Sequence, residues 1–180
     1  MGAHASPPKL VRLASKIEVF IQMIYYRLGP HDSSQARVLI SLFDQVFEEP
    51  TRPLLSEEAL LARLADDRVW VLVAMVHNKV VGGLVGYELP KFETQRSELY
   101  LYDLAVASAH QGQGIGRGLI DALITQVEST DIWAVFVQAD LGDEVPNALY
   151  QSYGYEQEKV HHYDLWQRNS EREKTIQLKS

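Results

Sequence analysis

Four glycines fall at every second position of HQGQGIGRGLI, residues 110–120, from Gly112 to Gly118, and an apolar run at helical spacing follows. Glycine weakens strands and helices alike, because it loses more backbone entropy on folding than other residues. The segment before it, SELYLYDLAV at 97–106, reads as a strand, and RGLIDALITQVES at 117–129 reads as a helix. A glycine-rich turn at that junction leaves backbone N–H groups unpaired at a helix N-terminus, where the dipole favours an anion. The absent side chains let phosphate oxygens approach the backbone. The inference is a phosphate or pyrophosphate ligand at residues 111–118. The alternative is a turn that only tightens strand–helix packing.

Two better-known phosphate loops do not fit. A P-loop needs G-x-x-x-x-G-K-[ST], and no Gly-Lys-Ser/Thr occurs in the chain. The dinucleotide fingerprint needs G-x-G-x-x-G; counted from Gly112 it ends on Arg117, and from Gly114 on Leu119.

The rest of the chain supplies a frame for this loop. IEVFIQMIYYRLG at 17–29 alternates like a strand, and PHDSSQARVLISLFDQVF at 30–47 reads as a helix with Asp32, Ser33 and Ser34 as cap candidates. LSEEALLARLA at 55–65 reads as a second helix, opened by Ser56 with acids in its first turn. Residues 68–90 form two β runs joined at His77-Asn78-Lys79, a hairpin. DIWAVFVQA at 131–139 is a strand, and PNALYQSYG at 146–154 is a short helix begun by Pro146 or Asn147 and stopped by Gly154. YEQEKVHHYDLW at 155–166 is read as one or two further strands. Hairpins beside a strand–loop–helix–strand crossover imply a mixed α/β sheet with helices on its faces.

Composition narrows the function class. The 180 residues allow one domain with a real core. We expect a disordered leader or cloning remnant at 1–14, the domain at 15–167 and a polar tail at 168–180. No cysteine is present, which removes disulfides, thiolate metal sites and thiol nucleophiles. The longest apolar run, VWVLVAMV at 69–76, suits a buried strand and is too short for a membrane span. The start of the chain lacks the apolar core of a secretory signal, so a cytoplasmic location is expected. The formal net charge of −7 argues against nucleic acid and suits a cationic small molecule or peptide. His161 and His162 have no metal-ligand spacing around them.

LAVASAHQGQGIG fits L-x-V-x(4)-[QR]-x-x-G-x-[GA] through Leu104, Val106, Gln111, Gly114 and Gly116. This resembles the acetyl-coenzyme A loop of the GNAT N-acetyltransferase superfamily. ALYQSYGY, residues 148–155, looks like the A-L-Y-x-x-x-G-[FY] helix of the same superfamily. The two motifs and the element order cover roughly residues 17–165. LPKFETQRSELYLYDLAV and VQADLGDEVPNALY resemble the gentamicin-modifying aminoglycoside 3-N-acetyltransferases within it. The resemblance implies a GNAT fold: a mixed central β-sheet, a splayed parallel strand pair, and helices on both faces. It also implies direct acetyl transfer from acetyl-CoA to an amine of a gentamicin-like antibiotic, which would confer resistance.

The resemblance distributes roles along the chain. Leu104 and Val106 backbones would hold the pantetheine arm, and an N–H near Ala105 or Val106 would face the thioester oxygen. Gln111, Gly112, Gln113, Gly114, Ile115, Gly116 and Arg117 would take the pyrophosphate. Tyr150 matches the family's general acid. Asp103 either accepts a proton or anchors the substrate ammonium. Asp140, Asp143 and Glu144 form an acidic cluster suited to a polycation, with Glu88 and Glu93 as further wall candidates. No metal, nucleic acid or membrane partner is expected, and a homodimer is left open. Other readings are acetylation of another amine (a polyamine, a peptide or a protein N-terminus) and a coenzyme A-binding module without turnover.

Overall fold

In the computed structural model, which describes residues 23–48 and 53–163, these patterns resolve into five strands and four helices. The order is β1 (Met23–Arg27), α1 (Ser33–Val46), α2 (Glu57–Leu64), β2 (Val69–Val76), β3 (Lys79–Pro90), β4 (Ser97–Val106), α3 (Ile115–Val127), β5 (Ile132–Val137) and α4 (Glu144–Gln151). The described residues fall in two compact units, divided between Ala139 and Asp140. The first holds β1 to β5, and the second holds α4.

The strands form one sheet in the order β1-β2-β3-β4-β5. Pairing is antiparallel from β1 to β4 and parallel between β4 and β5. The β2–β3 hairpin turns at His77 and Asn78, both with positive φ; two such central residues match the strand twist of a tight hairpin. Residues 17–22 of the first expected strand and residues 164–180 lie outside the described residues.

Strand alternation sends two sets of apolar side chains to opposite faces. On one face Leu39, Leu42 and Phe43 of α1 and Leu60 and Leu64 of α2 cluster with Val73 and Ala105, with Val71 and Val85 packed against them. On the other, the alternate residues Leu72, Leu84, Leu99 and Leu101 are removed from water beneath α3, whose Ile115, Leu119 and Leu123 are buried as well. Each leucine removed from water contributes roughly 1.5–3 kcal/mol. Tyr26 joins the α1–α2 cluster, while a Cβ on Gly118 of α3 would collide with the neighbouring Tyr25 ring. The glycine lets α3 sit close to β1.

The helix ends follow local chemistry. Ser56 caps α2, its Oγ accepting from the Ala59 N–H at 3.2 Å. Asp32 behaves differently from expectation. It occupies the N-cap position of α1 without a side-chain cap, and its carboxylate accepts instead from the Gly29 N–H at 2.8 Å. The Arg37 guanidinium donates to Glu57 and ties α1 to α2; that bond holds the Glu57 carboxyl below its usual range.

The strand or strands expected at 155–166 do not form among the described residues. Residues 155–163 form no strand and are exposed. Among them Val160 is the sole aliphatic residue, with Glu156, Glu158 and Lys159 around it. Alternation without an apolar face gives a strand nothing to bury. No helix among the described residues is long and apolar enough to cross a membrane.

β3 crosses beneath α1 at Gly83, where a Cβ would lie 2.5 Å from Leu39 Cδ1 and 2.7 Å from the Leu72 carbonyl oxygen. Gly83→Ala is expected to cost about 1–3 kcal/mol as an overpacked core site. At Gly142 a Cβ meets nothing within 4 Å, and Gly142→Ala is expected to stay within about 0.5 kcal/mol of the parent. Denaturant midpoints of the two variants check the contrast.

Candidate active site

The site begins with a fault in β4. Tyr87 pairs with Tyr100 and Gly86 with Leu101, but Val85 pairs with Asp103. Tyr102 is the extra residue of a β-bulge. A bulge bends its strand and ends regular pairing. The parallel ladder to β5 runs from Ser97↔Ile132 to Leu101↔Val137 and stops at the same place. From Tyr102 to Val106 the β5-facing edge of β4 has no strand partner among the described residues.

Alternation tells which backbone groups meet that open edge. The Ala107 N–H donates to the Val81 carbonyl at 2.8 Å, on the β3 side. Odd positions after the bulge therefore point to β3, and the N–H and C=O of Leu104 and Val106 point to the open edge. Of the two N–H groups considered for the thioester oxygen, that of Val106 faces the opening and that of Ala105 faces β3. The Val106 carbonyl accepts from Gln111 Nε2 at 2.9 Å. The Gln111 side chain thus ties the glycine turn to the end of β4.

A single 3-10 turn, Ser108–His110, leads into the glycines. Gly112 and Gly114 have φ of 72° and 80°, a left-handed conformation that L side chains rarely adopt. Gly114 is the N-cap of α3 and has no side-chain cap. The first intrahelical bond runs from the Gly118 N–H to the Gly114 carbonyl at 3.0 Å. Gly116 and its neighbours Ile115 and Arg117 are in the first turn, whose N–H groups have no intrahelical acceptor. A Cβ added at Gly112 or Gly114 would meet nothing within 4 Å. The turn therefore presents bare backbone, with the dipole of a 13-residue helix behind it. Gln113 donates to the Ala109 carbonyl at 3.3 Å and is exposed. These features fit a pyrophosphate held by backbone donors.

The bulge also decides where Asp103 goes. Regular alternation would put it on the face of Leu101, under α3. The extra residue moves it opposite Val85, onto the face of Tyr87 and Tyr100. Its charge acts on both phenols. Burial first, then Asp103, holds the Tyr87 hydroxyl above its ordinary range, against the opposing charge of Arg63. Burial, Tyr102 and Asp103 do the same at Tyr100. Glu88 alternates with Tyr87 and lies on the α3 side, where its charge acts on Arg27. It stands apart from the Asp103 face. Glu93 is exposed in the β3–β4 connection.

In the second unit, Asp140, Asp143 and Glu144 are exposed at the start of α4. Asn147 Nδ2 donates to the Asp140 carbonyl at 2.7 Å and to the Asp143 carbonyl at 2.6 Å. This amide, which the sequence offers as a candidate helix start, folds the acidic loop onto its own helix. The helix begins at Glu144, two residues before Pro146, which the first turn tolerates. Tyr150 is half-buried, and burial pushes its phenol up from 10.0. Among the described residues no three His, Asp or Glu side chains are grouped to hold a metal ion.

The sequence reading also missed the aromatic neighbours of Asp103. Tyr100 stacks on Phe136 with ring centroids 5.0 Å apart, and Tyr102 meets Tyr100 and Tyr87 edge to face at 5.5 and 5.6 Å. The signal was present as the repeated tyrosines of ELYLYD, but not the bulge that orients them.

Among curated proteins none matches the chain. The solved structures include an aminoglycoside acetyltransferase, meta-AAC0020, from an uncultured soil metagenomic sample. Its trehalose complex is 35% identical with a TM-score of 0.75, covering 81% of this chain and 97% of that one. Its sisomicin complex is 34% identical with a TM-score of 0.74 over the same shares. A second aminoglycoside acetyltransferase from an uncultured soil metagenomic sample, HMB0005, is 33% identical with a TM-score of 0.73, covering 81% of this chain and 98% of that one. Aminoglycoside N-acetyltransferase AAC(6')-Iy, in complex with CoA, shares the fold at 16% identity and a TM-score of 0.65, covering 83% of this chain and 97% of that one. The family model described as acetyltransferase (GNAT) matches residues 36–155. With the parted β4–β5 pair and the glycine-capped α3 inside that span, the chain belongs to the GNAT acetyltransferase family.

Proposed function

We propose that this chain is an aminoglycoside N-acetyltransferase that uses acetyl-CoA and modifies the 3-amino group of a gentamicin-like antibiotic, conferring resistance. The observation that carries the reading is the 33–35% identity to aminoglycoside acetyltransferases over 81% of the chain. The segments around the glycine loop that resemble the gentamicin-modifying enzymes support the 3-amino position.

Acetyl-CoA supplies the thioester whose acetyl group moves to the amine. The donor set present fits it: an open strand edge for an amide-bearing arm and an uncapped helix N-terminus for a pyrophosphate. In this reading Leu104 and Val106 hold the arm, and the Val106 N–H donates to the thioester oxygen as charge develops there. Backbone groups from Gln111 to Arg117 hold the pyrophosphate. Asp103 takes the amine's proton or aligns its ammonium. Tyr150 donates its phenolic proton to the departing sulfur. Asp140, Asp143 and Glu144 hold ammonium groups that do not react.

The test is a thiol-release assay with acetyl-CoA against aminoglycosides, polyamines and peptides, with the acetylated nitrogen of any product assigned by NMR. Acetylation of gentamicin at its 3-amino group is expected. Turnover restricted to polyamines or peptides overturns the reading.

Gly114→Val puts a branched side chain at a left-handed N-cap and into the space of the anion. Its Kd for acetyl-CoA, read by calorimetry on a variant with unchanged circular dichroism, is expected to rise roughly tenfold or more.

Tyr150→Phe removes the proton donor and little packing, and a fall in kcat of roughly 10²–10⁴-fold is expected with KM nearly unchanged. The phenol is protonated below its pKa, and burial moves that pKa above 10.0. Proton donation therefore persists at neutral pH and fails only as pH rises beyond that point. A kcat–pH profile should show the alkaline fall in the parent and none in Tyr150→Phe.

Asp103→Asn is expected to lower kcat as well as raise KM, because the attacking amine loses its acceptor or its alignment. Asp143→Asn should mainly raise KM, since it holds ammoniums alike in ground and transition states. Steady-state kinetics at low and high salt separate the two, and added salt should raise KM in the parent.

A further inference from the structure

The sheet face under α1 and α2 continues past those helices toward β5, and there it carries rings. Tyr87, Tyr102 and Phe136 are 38%, 59% and 37% exposed, and with Tyr100 they form one connected shelf. Scattered exposed aromatics are ordinary; a contiguous shelf marks an interaction surface. Tyr102, the bulge residue, is the most exposed of the four. Asp103 follows it in the chain, and its charge reaches Tyr87 and Tyr100. Arg63 is the cation facing Tyr87, with a smaller effect there than Asp103. Tyr100 is fixed from behind by Phe136 and donates to Gln138 Oε1 at 3.2 Å.

We infer that this shelf is the acceptor platform and that Tyr102 is its specificity-determining residue: an aminated sugar ring lies flat across Tyr102 with an ammonium group at Asp103. Tyrosine ring faces are broad and apolar, and they cover the flat C–H face of a cyclic sugar. Asp103 adds the opposite charge beside them. A linear polyamine can place an ammonium at Asp103 but has no ring face to lay on the shelf. The shelf therefore selects cyclic amines from linear ones of similar charge. The inference rests on the acetyltransferase reading for its reaction, while the binding it describes is measured without turnover.

The test compares sisomicin with spermine by calorimetry, on the full chain carrying Tyr102→Ala, Tyr102→Phe or Tyr102→Leu. Tyr102→Ala should weaken sisomicin binding about 3- to 10-fold. Tyr102→Phe keeps the π face and should restore it. Tyr102→Leu keeps bulk without that face, should lose as much as Tyr102→Ala, and replaces it if the alanine variant does not fold. Spermine affinity should change less than about twofold in all three, a contrast that a general structural defect would not produce. Equal losses for both amines, no loss for sisomicin, or no sisomicin binding to the parent overturns the inference. If sisomicin binds with the expected pattern but is not acetylated, the shelf stands and the aminoglycoside-transfer reading falls.

Discussion

One extra residue in β4 governs the candidate site. Because Tyr102 has no partner in β3, the strand bends and its ladder to β5 stops at Leu101. Four consequences share that cause. The polar edges of Leu104 and Val106 are left open, Asp103 changes face, Tyr102 joins the tyrosine shelf, and the end of β4 is directed into the glycine turn. An open strand edge is costly unless its groups find partners. The Gln111 amide meets one of them, the Val106 carbonyl. The Val106 N–H is turned to the same edge, which suits a bound amide or carbonyl.

The two helical layers hold this irregular strand in place. Leu99 and Leu101 are fixed under α3 just before the bulge, and Ala105 is fixed in the α1–α2 cluster just after it. Packing on opposite faces across so short a distance leaves the bulge little room to migrate, because a one-residue slip would exchange buried and exposed side chains. α3 serves twice. Its apolar stripe anchors β4 from one side, and its N-terminus offers donors at the end of that strand. The alternating glycines divide the work: Gly112 and Gly114 supply left-handed turns, and Gly118 permits the approach to Tyr25.

The electrostatics around the tyrosines are set by burial and by negative charge. The chain carries a net −7, and the tyrosines beside Asp103 are held protonated by burial and by its charge. Tyr150 is also held in its protonated form, by burial. The acidic loop before α4 is shaped by Asn147, so its carboxylates are presented by a structured turn.

Much of this was legible in local patterns. The glycines at 112, 114, 116 and 118, the strand before them and the helix after them specify a left-handed turn into an uncapped helix N-terminus, because φ preference and helix-end chemistry are local properties. The hairpin at His77-Asn78 and the cap at Ser56 are equally local. The flanking motifs carried the family. Three-dimensional pairing decided the rest. Period-two alternation places Asp103 with Leu101, and only the register between β3 and β4 reveals the bulge that moves it to the tyrosine face. The same register puts Glu88 on the α3 side, though its position at the end of an apolar strand suggested a wall of the site. Asp32 had the composition of a cap, yet Gly29 took its carboxylate. Residues 155–163 alternate without an apolar face, and no strand forms there. Backbone preference is written residue by residue, whereas register depends on which neighbour a strand meets across the sheet, and that is settled only when both layers pack.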